Sequence, residues 1–122
     1  MIKIEKIKPL REDLRGLAYG FSTRKSGYFI VINRKKGTIS GEHYHKGLSE
    51  SKSPEIFYLV KGKVKLSVKD IKSNKEKTYE IAENSKIEIP ANIYHEFLAL
   101  TDIILLELNI TKSDFRKDTI KS

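Results

Sequence analysis

The chain has 122 residues, 39% hydrophobic content and no cysteine, which predicts one folded domain over residues 1–122 with no disulfide to staple it. Its formal charge is +8, from 24 Lys and Arg against 16 Asp and Glu. The longest apolar run, Ile103 to Leu106, is only strand-sized, and Met1 to Lys8 alternates Ile with Lys and Glu, so neither a membrane span nor a signal peptide is expected. A cytoplasmic location follows as the expectation. The lysines are spread along the whole chain and are not interleaved with aromatics, so they read as a solvated face rather than a nucleic-acid surface. The positive balance still suits a small anionic partner.

Strand patterns dominate in chain order. Ile2 to Glu5 alternates, and residues 10–16 resemble one helical turn ending at Gly16. Tyr28 to Ile32, Ile56 to Val60, Val64 to Val68, Tyr79 to Ile81, Lys86 to Ile89, His95 to Leu98 and Ile103 to Leu108 read as further strands. Turn signals separate them at Ser26-Gly27, Lys36-Gly37, Lys61-Gly62, Ser73-Asn74, Asn84-Ser85, Pro90 to Asn92 and Thr101-Asp102. This spacing predicts an all-β sandwich or barrel. Lys61, Lys63, Lys65 and Lys69 point outward if Val64, Leu66 and Val68 point inward. The polar stretch between His45 and Glu55 reads as an exposed, mobile loop, and residues 112–122 as a short helix capped at Ser113 or a frayed tail.

All three histidines, His43, His45 and His95, stand where one metal ion can hold them. In an extended segment, residues two apart share a face and lie about 7 Å apart, so His43 and His45 converge on one side. Glu55 shares parity with Phe57 and Leu59, and His95 with Phe97 and Ala99, which turns both toward an apolar interior. Three imidazoles and one carboxylate make a nearly complete ligand set for a divalent cation. The competing interpretation places the histidine pair on an exposed loop and His95 at a rim. No Walker loop, dinucleotide-binding loop or Ser or Cys nucleophile motif is present.

These residues resemble the cupin superfamily, small β-barrels with two sequence motifs. In the first, G-x5-H-x-H-x(3 or 4)-E-x6-G, Gly37, His43, His45, Glu55 and Gly62 match in type. In the second, G-x5-P-x-G-x2-H-x3-N, the matching positions hold Asn84, Pro90, Asn92, His95 and Ala99. The matched stretches are residues 37–62 and 84–99. Nine residues separate His45 from Glu55, more than the motif has, so Glu50 is a rival ligand; the x6 spacing to Gly62 selects Glu55. Asn84 and Asn92 replace glycines, and asparagine is the side chain that most readily enters the left-handed region in their place.

The resemblance implies a double-stranded β-helix, or jelly roll, with His43, His45, Glu55 and His95 around one divalent transition metal: Zn, Mn, Fe, Ni, Co or Cu. The phrase from Gly41 to His45 and on from Pro54 is most similar to sugar-handling branches of the family. It implies a metal-dependent isomerase or epimerase of a sugar or sugar phosphate, and a homodimer. Two other functions fit the same ligands, an Fe(II)-dependent dioxygenase of a small acid and a non-catalytic ligand-binding barrel. A general base is also needed for isomerisation, with Glu50, Glu96 or a barrel tyrosine as candidates.

Overall fold

The computed structural model describes residues 2–48, 51–52, 54–112 and 119–121. Its strands are β1 (Lys3–Lys6), β2 (Pro9–Asp13), β3 (Gly16–Tyr19), β4 (Tyr28–Arg34), β5 (Ile39–His45) and β6 (Glu55–Lys61). They continue with β7 (Lys63–Asp70), β8 (Glu76–Ala82), β9 (Ser85–Ile89), β10 (Ile93–Ala99), β11 (Ile103–Asn109) and β12 (Thr119–Lys121). One five-stranded sheet has the order β1-β9-β6-β11-β4, and the other β12-β5-β10-β7-β8, with β2 and β3 forming a separate hairpin. From β4 to β7 the chain alternates between the two sheets, as a jelly roll requires. Among the described residues no helix is long and apolar enough to cross a membrane.

The alternation seen in the sequence sets the core. Val64, Leu66 and Val68 of β7 are buried, while the alternating Lys63 and Lys65 are exposed. They meet Phe57, Leu59, Ile87, Leu105 and Phe97 in one cluster that fills the space between the sheets. Each such side chain contributes roughly 1.5–3 kcal/mol on burial. Strand β6 is buried on both faces. Ile56 and Tyr58 point the other way, into a second cluster with Ile7, Tyr19 and Phe21, where Phe21 and Tyr58 stack at 4.3 Å.

The turns follow the expected chemistry. Asn84 and Asn92 adopt φ of 62° and 64°, the left-handed conformation that glycine would take there. Gly62 carries the chain from β6 into β7 with φ of 94°. A Cβ at Gly62 would meet the Asp102 carbonyl and stand 2.6 Å from Thr101 Oγ1, so only glycine fits this corner.

Three expectations are corrected. Residues 10–16 form no helical turn but part of the β2–β3 hairpin, whose register pairs Asp13 with Gly16 across a two-residue loop. A lone helical turn is too short to hold itself together, whereas Asp13 Oδ1 accepts the Arg15 N–H at 2.8 Å and Gly16 supplies a φ of 130° to close the loop. Residues 119–121 are a strand, not part of a helix or a frayed end, and pair with His43 to His45 of β5; the helix expected from Ser113 lies outside the described residues. Finally, the stretch before Glu55 is not uniformly exposed, because Ser51 and Lys52 are buried. Arg24 holds it down, donating from Nη1 to the Pro54 carbonyl at 3.0 Å and from Nη2 to the Ser51 carbonyl at 2.9 Å.

Candidate metal centre

Strand β5 brings His43 and His45 to the site, and a bulge aims them. The register with β10 pairs His95 with His43 and Glu96 with Gly41, leaving Glu42 as the extra residue. Gly41 and Glu42 both have positive φ, 91° and 58°. Gly41 sits against His95, where a Cβ would be 3.0 Å from the His95 carbonyl oxygen. Neighbouring β10 supplies His95, and Glu55 opens β6 in the facing sheet.

The four side chains predicted from the sequence come together. One ligating atom from each of His43, His45, Glu55 and His95 lies within 4.8 Å of the others. Glu55 Oε1 is 3.2 Å from His45 Nε2 and 3.1 Å from His95 Nε2. Ligand atoms bound to one ion at about 2.1 Å stand roughly 3.0–3.4 Å apart when adjacent and about 4.2 Å when opposed, so only small closing shifts are needed. His43 Nδ1 lies 2.9 Å from the Gly41 carbonyl and His95 Nδ1 3.1 Å from the Ile93 carbonyl. Those carbonyls select the Nδ1–H tautomer and leave each Nε2 lone pair free to bind a cation.

Electrostatics favour a cation at this point. Glu55 is 2% exposed and His95 1%. Burial pushes the Glu55 carboxyl up, but contacts with His45 and His95 and the charge of Lys52 outweigh it and hold the group well below the carboxylate range. Burial lowers the His95 imidazole, yet the adjacent Glu55 carboxylate raises it above its ordinary value. His43 is lowered to about 4, first by burial and then by the neighbouring His95, so it is neutral at pH 7 and ready to bind a metal. Glu55 Oε1 and His95 Nε2, though 3.1 Å apart, are not aligned as a hydrogen bond, and both are buried. A carboxylate oxygen and an imidazole lone pair aimed at one point suit a metal ion, so the residues fit the cation that the resemblance implies.

A cavity of about 150 Å³ adjoins this centre, lined by His43, Glu55 and His95 together with Arg34, Ser40 and Glu107. Those last three, and Lys52 behind Glu55, are the residues that the sequence reading missed. For Glu107 a signal existed: it shares inward parity with Ile103 and Leu105 in an apolar strand. Two of the proposed bases, Glu96 and the barrel tyrosines, are not at the site. Glu96 follows His95 on β10 and so faces the opposite side of the sheet, lining a different groove with Tyr94. Among the described residues no tyrosine lines the cavity. Glu50 lies outside the described residues.

Comparison with known proteins places this fold in a wider group. A family model described as polysaccharide biosynthesis C-terminal domain matches residues 11–120. No curated protein matches the chain. Among solved structures, a sugar 3,4-ketoisomerase from Thermoanaerobacterium thermosaccharolyticum in complex with TDP superposes with a TM-score of 0.78 and 22% identity, covering 99% of this chain and 88% of that one. The dTDP-4-dehydrorhamnose 3,5-epimerase from Sulfolobus tokodaii gives 0.75 and 22%, covering 97% and 74%. A 3'-monoepimerase from Streptomyces bikiniensis in complex with dTDP-quinovose gives 0.78 and 15%, covering 98% and 68%. At these identities the likeness establishes the fold, which is the cupin jelly roll.

Proposed function

The chain belongs to the polysaccharide biosynthesis C-terminal domain family, and from that premise we propose that it is a metal-dependent isomerase or epimerase of a sugar or sugar phosphate. The observation that carries this reading is the convergence of His43, His45, Glu55 and His95 beside one cavity. The sugar rests on the family's description and on a fold shared with sugar isomerases and epimerases. A divalent cation held by the four residues would supply Lewis acidity that polarises a carbonyl and acidifies the neighbouring C–H.

The chain's own residues do the rest. Phe57, Phe97 and Leu105 line the cavity and keep water out, which strengthens each charge interaction inside. Arg34 is exposed and lines the same cavity, with Nε donating to Ser40 Oγ at 2.9 Å. Its guanidinium offers paired donors to an anionic group on the substrate. Glu107 is the general base in this scheme. It is the cavity-lining carboxylate outside the metal-ligand set, and it takes the proton from the carbon beside the carbonyl and returns it after rearrangement.

The test combines metal analysis with isotope exchange. Protein purified without added metal is expected to carry a transition metal, with Zn and Cu favoured by intrinsic affinity. Incubated in D₂O with sugar phosphates and nucleotide-linked keto sugars, it should exchange the C–H beside the carbonyl for deuterium. Chelation and Glu107→Gln should each abolish that exchange. Metal-loaded protein that exchanges no proton of any such substrate overturns the reading.

A further inference from the structure

Lys52 lies in a stretch that has every local mark of an exposed loop, yet it is 1% exposed. An ammonium withdrawn from water is tolerated only when it is well paired. This one is paired twice, with Nζ 2.9 Å from Glu55 Oε2 and 2.8 Å from Glu107 Oε2. Its surroundings hold it there. Ser51 Oγ accepts the Ile110 N–H at 2.9 Å, Arg24 grips the Ser51 and Pro54 carbonyls, and Asn109 Nδ2 donates to Glu107 Oε2 at 3.0 Å. Asn109 is itself fully buried.

The two oxygens of Glu55 therefore have different occupants. Oε2 takes the Lys52 ammonium, and Oε1 faces His45 and His95. The carboxylate cannot turn both oxygens toward the histidines without giving up the ammonium. From this division we infer that Lys52 is a positioning residue that restricts Glu55 to one-oxygen contact with a bound cation. Three imidazoles and one oxygen then account for the chain's ligands, and the remaining coordination positions stay open for substrate. The inference rests on the metal-binding reading above and goes beyond it, because that reading holds whether Glu55 binds through one oxygen or two.

Cobalt(II) is the probe, since its visible bands lose intensity as its coordination number rises. The whole chain, freed of metal by chelation, is titrated with cobalt chloride alongside Lys52→Met. Wild type is expected to give a saturable visible spectrum. In Lys52→Met the bands should shift and weaken at saturation, as the released carboxylate offers both oxygens. An unchanged spectrum in the saturated variant overturns the role of Lys52 and leaves the metal centre standing. Wild type with no saturable spectrum overturns the metal reading, and this role falls with it. Should Lys52→Met fail to fold, a crystal structure of cobalt-loaded wild type decides. Glu55 bound through Oε1 with Oε2 still on Lys52 supports the inference, and both oxygens on cobalt overturn it.

Discussion

Gly41→Ala strikes β5 at its bulge, where backbone conformation and the proposed metal centre are coupled. Gly41 has φ of +91°, and an added Cβ would stand 3.0 Å from the His95 carbonyl oxygen and 3.5 Å from His95 Cδ2. Two penalties add. Forcing alanine into the left-handed region costs about 1–2 kcal/mol. Crowding a methyl against the backbone of the paired strand costs a further ~1–3 kcal/mol. Gly37 separates the two, because its φ is +88° but an added Cβ would meet nothing within 4 Å. In urea denaturation, Gly37→Ala should therefore lose about 1–2 kcal/mol and Gly41→Ala about 2–5 kcal/mol. The site supplies a second readout. A displaced His95 should weaken zinc binding by roughly 10–100-fold, as disturbed supporting contacts do, while Gly37→Ala should bind zinc as wild type does. Competition against a chelating dye measures this. A Gly41→Ala protein indistinguishable from Gly37→Ala in both stability and zinc affinity would refute the claim that the bulge seats His95.

Other outcomes follow from the same geometry. Dialysis against a chelator should lower the melting temperature, and zinc restored to a hundredfold excess over its Kd should return about 2.7 kcal/mol, or roughly 10 °C by calorimetry; an unchanged melting curve would argue against a site formed only in the folded state. Gly62→Ala should be more damaging than Gly41→Ala, since the Asp102 carbonyl, Thr101 Oγ1 and Ile103 Cγ2 already occupy the space. Recovery of folded, soluble protein with wild-type unfolding behaviour would contradict that assignment. Tyr58→Phe removes the hydroxyl that donates to Asn84 Oδ1 at 3.0 Å and should cost about 0.5–1.5 kcal/mol in urea, with cobalt and zinc binding untouched.

Much of this protein was legible before any fold was known. Strand β7 announced itself by alternation, because a strand with one face in the core must place apolar side chains at every second position, and β6, buried on both faces, showed as a continuous apolar run. The convergence of the four candidate ligands was legible for the same reason. His43 and His45 are two apart, Glu55 shares its parity with Phe57, and His95 with Phe97, so strand geometry alone turned each toward the interior. Asn84 and Asn92 were readable as left-handed turns from side-chain type. The helical turn expected over residues 10–16 failed because a lone turn is too short to hold itself together. The Asp13 turn and Gly16 instead close a hairpin that leaves Leu14 fully exposed.

What local pattern determined, then, is which way each side chain points along its own strand. Which distant charges join a local pair, as Glu107 joins Lys52 and Glu55, was settled by long-range pairing. Lys52 sits in a polar stretch with nothing to mark it. It is buried because Arg24 and Asn109, distant in the chain, brace its neighbour Ser51 and its partner Glu107, and two carboxylates from separate strands meet its ammonium. The bulge at Glu42 likewise exists only in the register of β5 against β10. A buried charge is stable only in company, and that company is brought by tertiary contacts no single segment encodes.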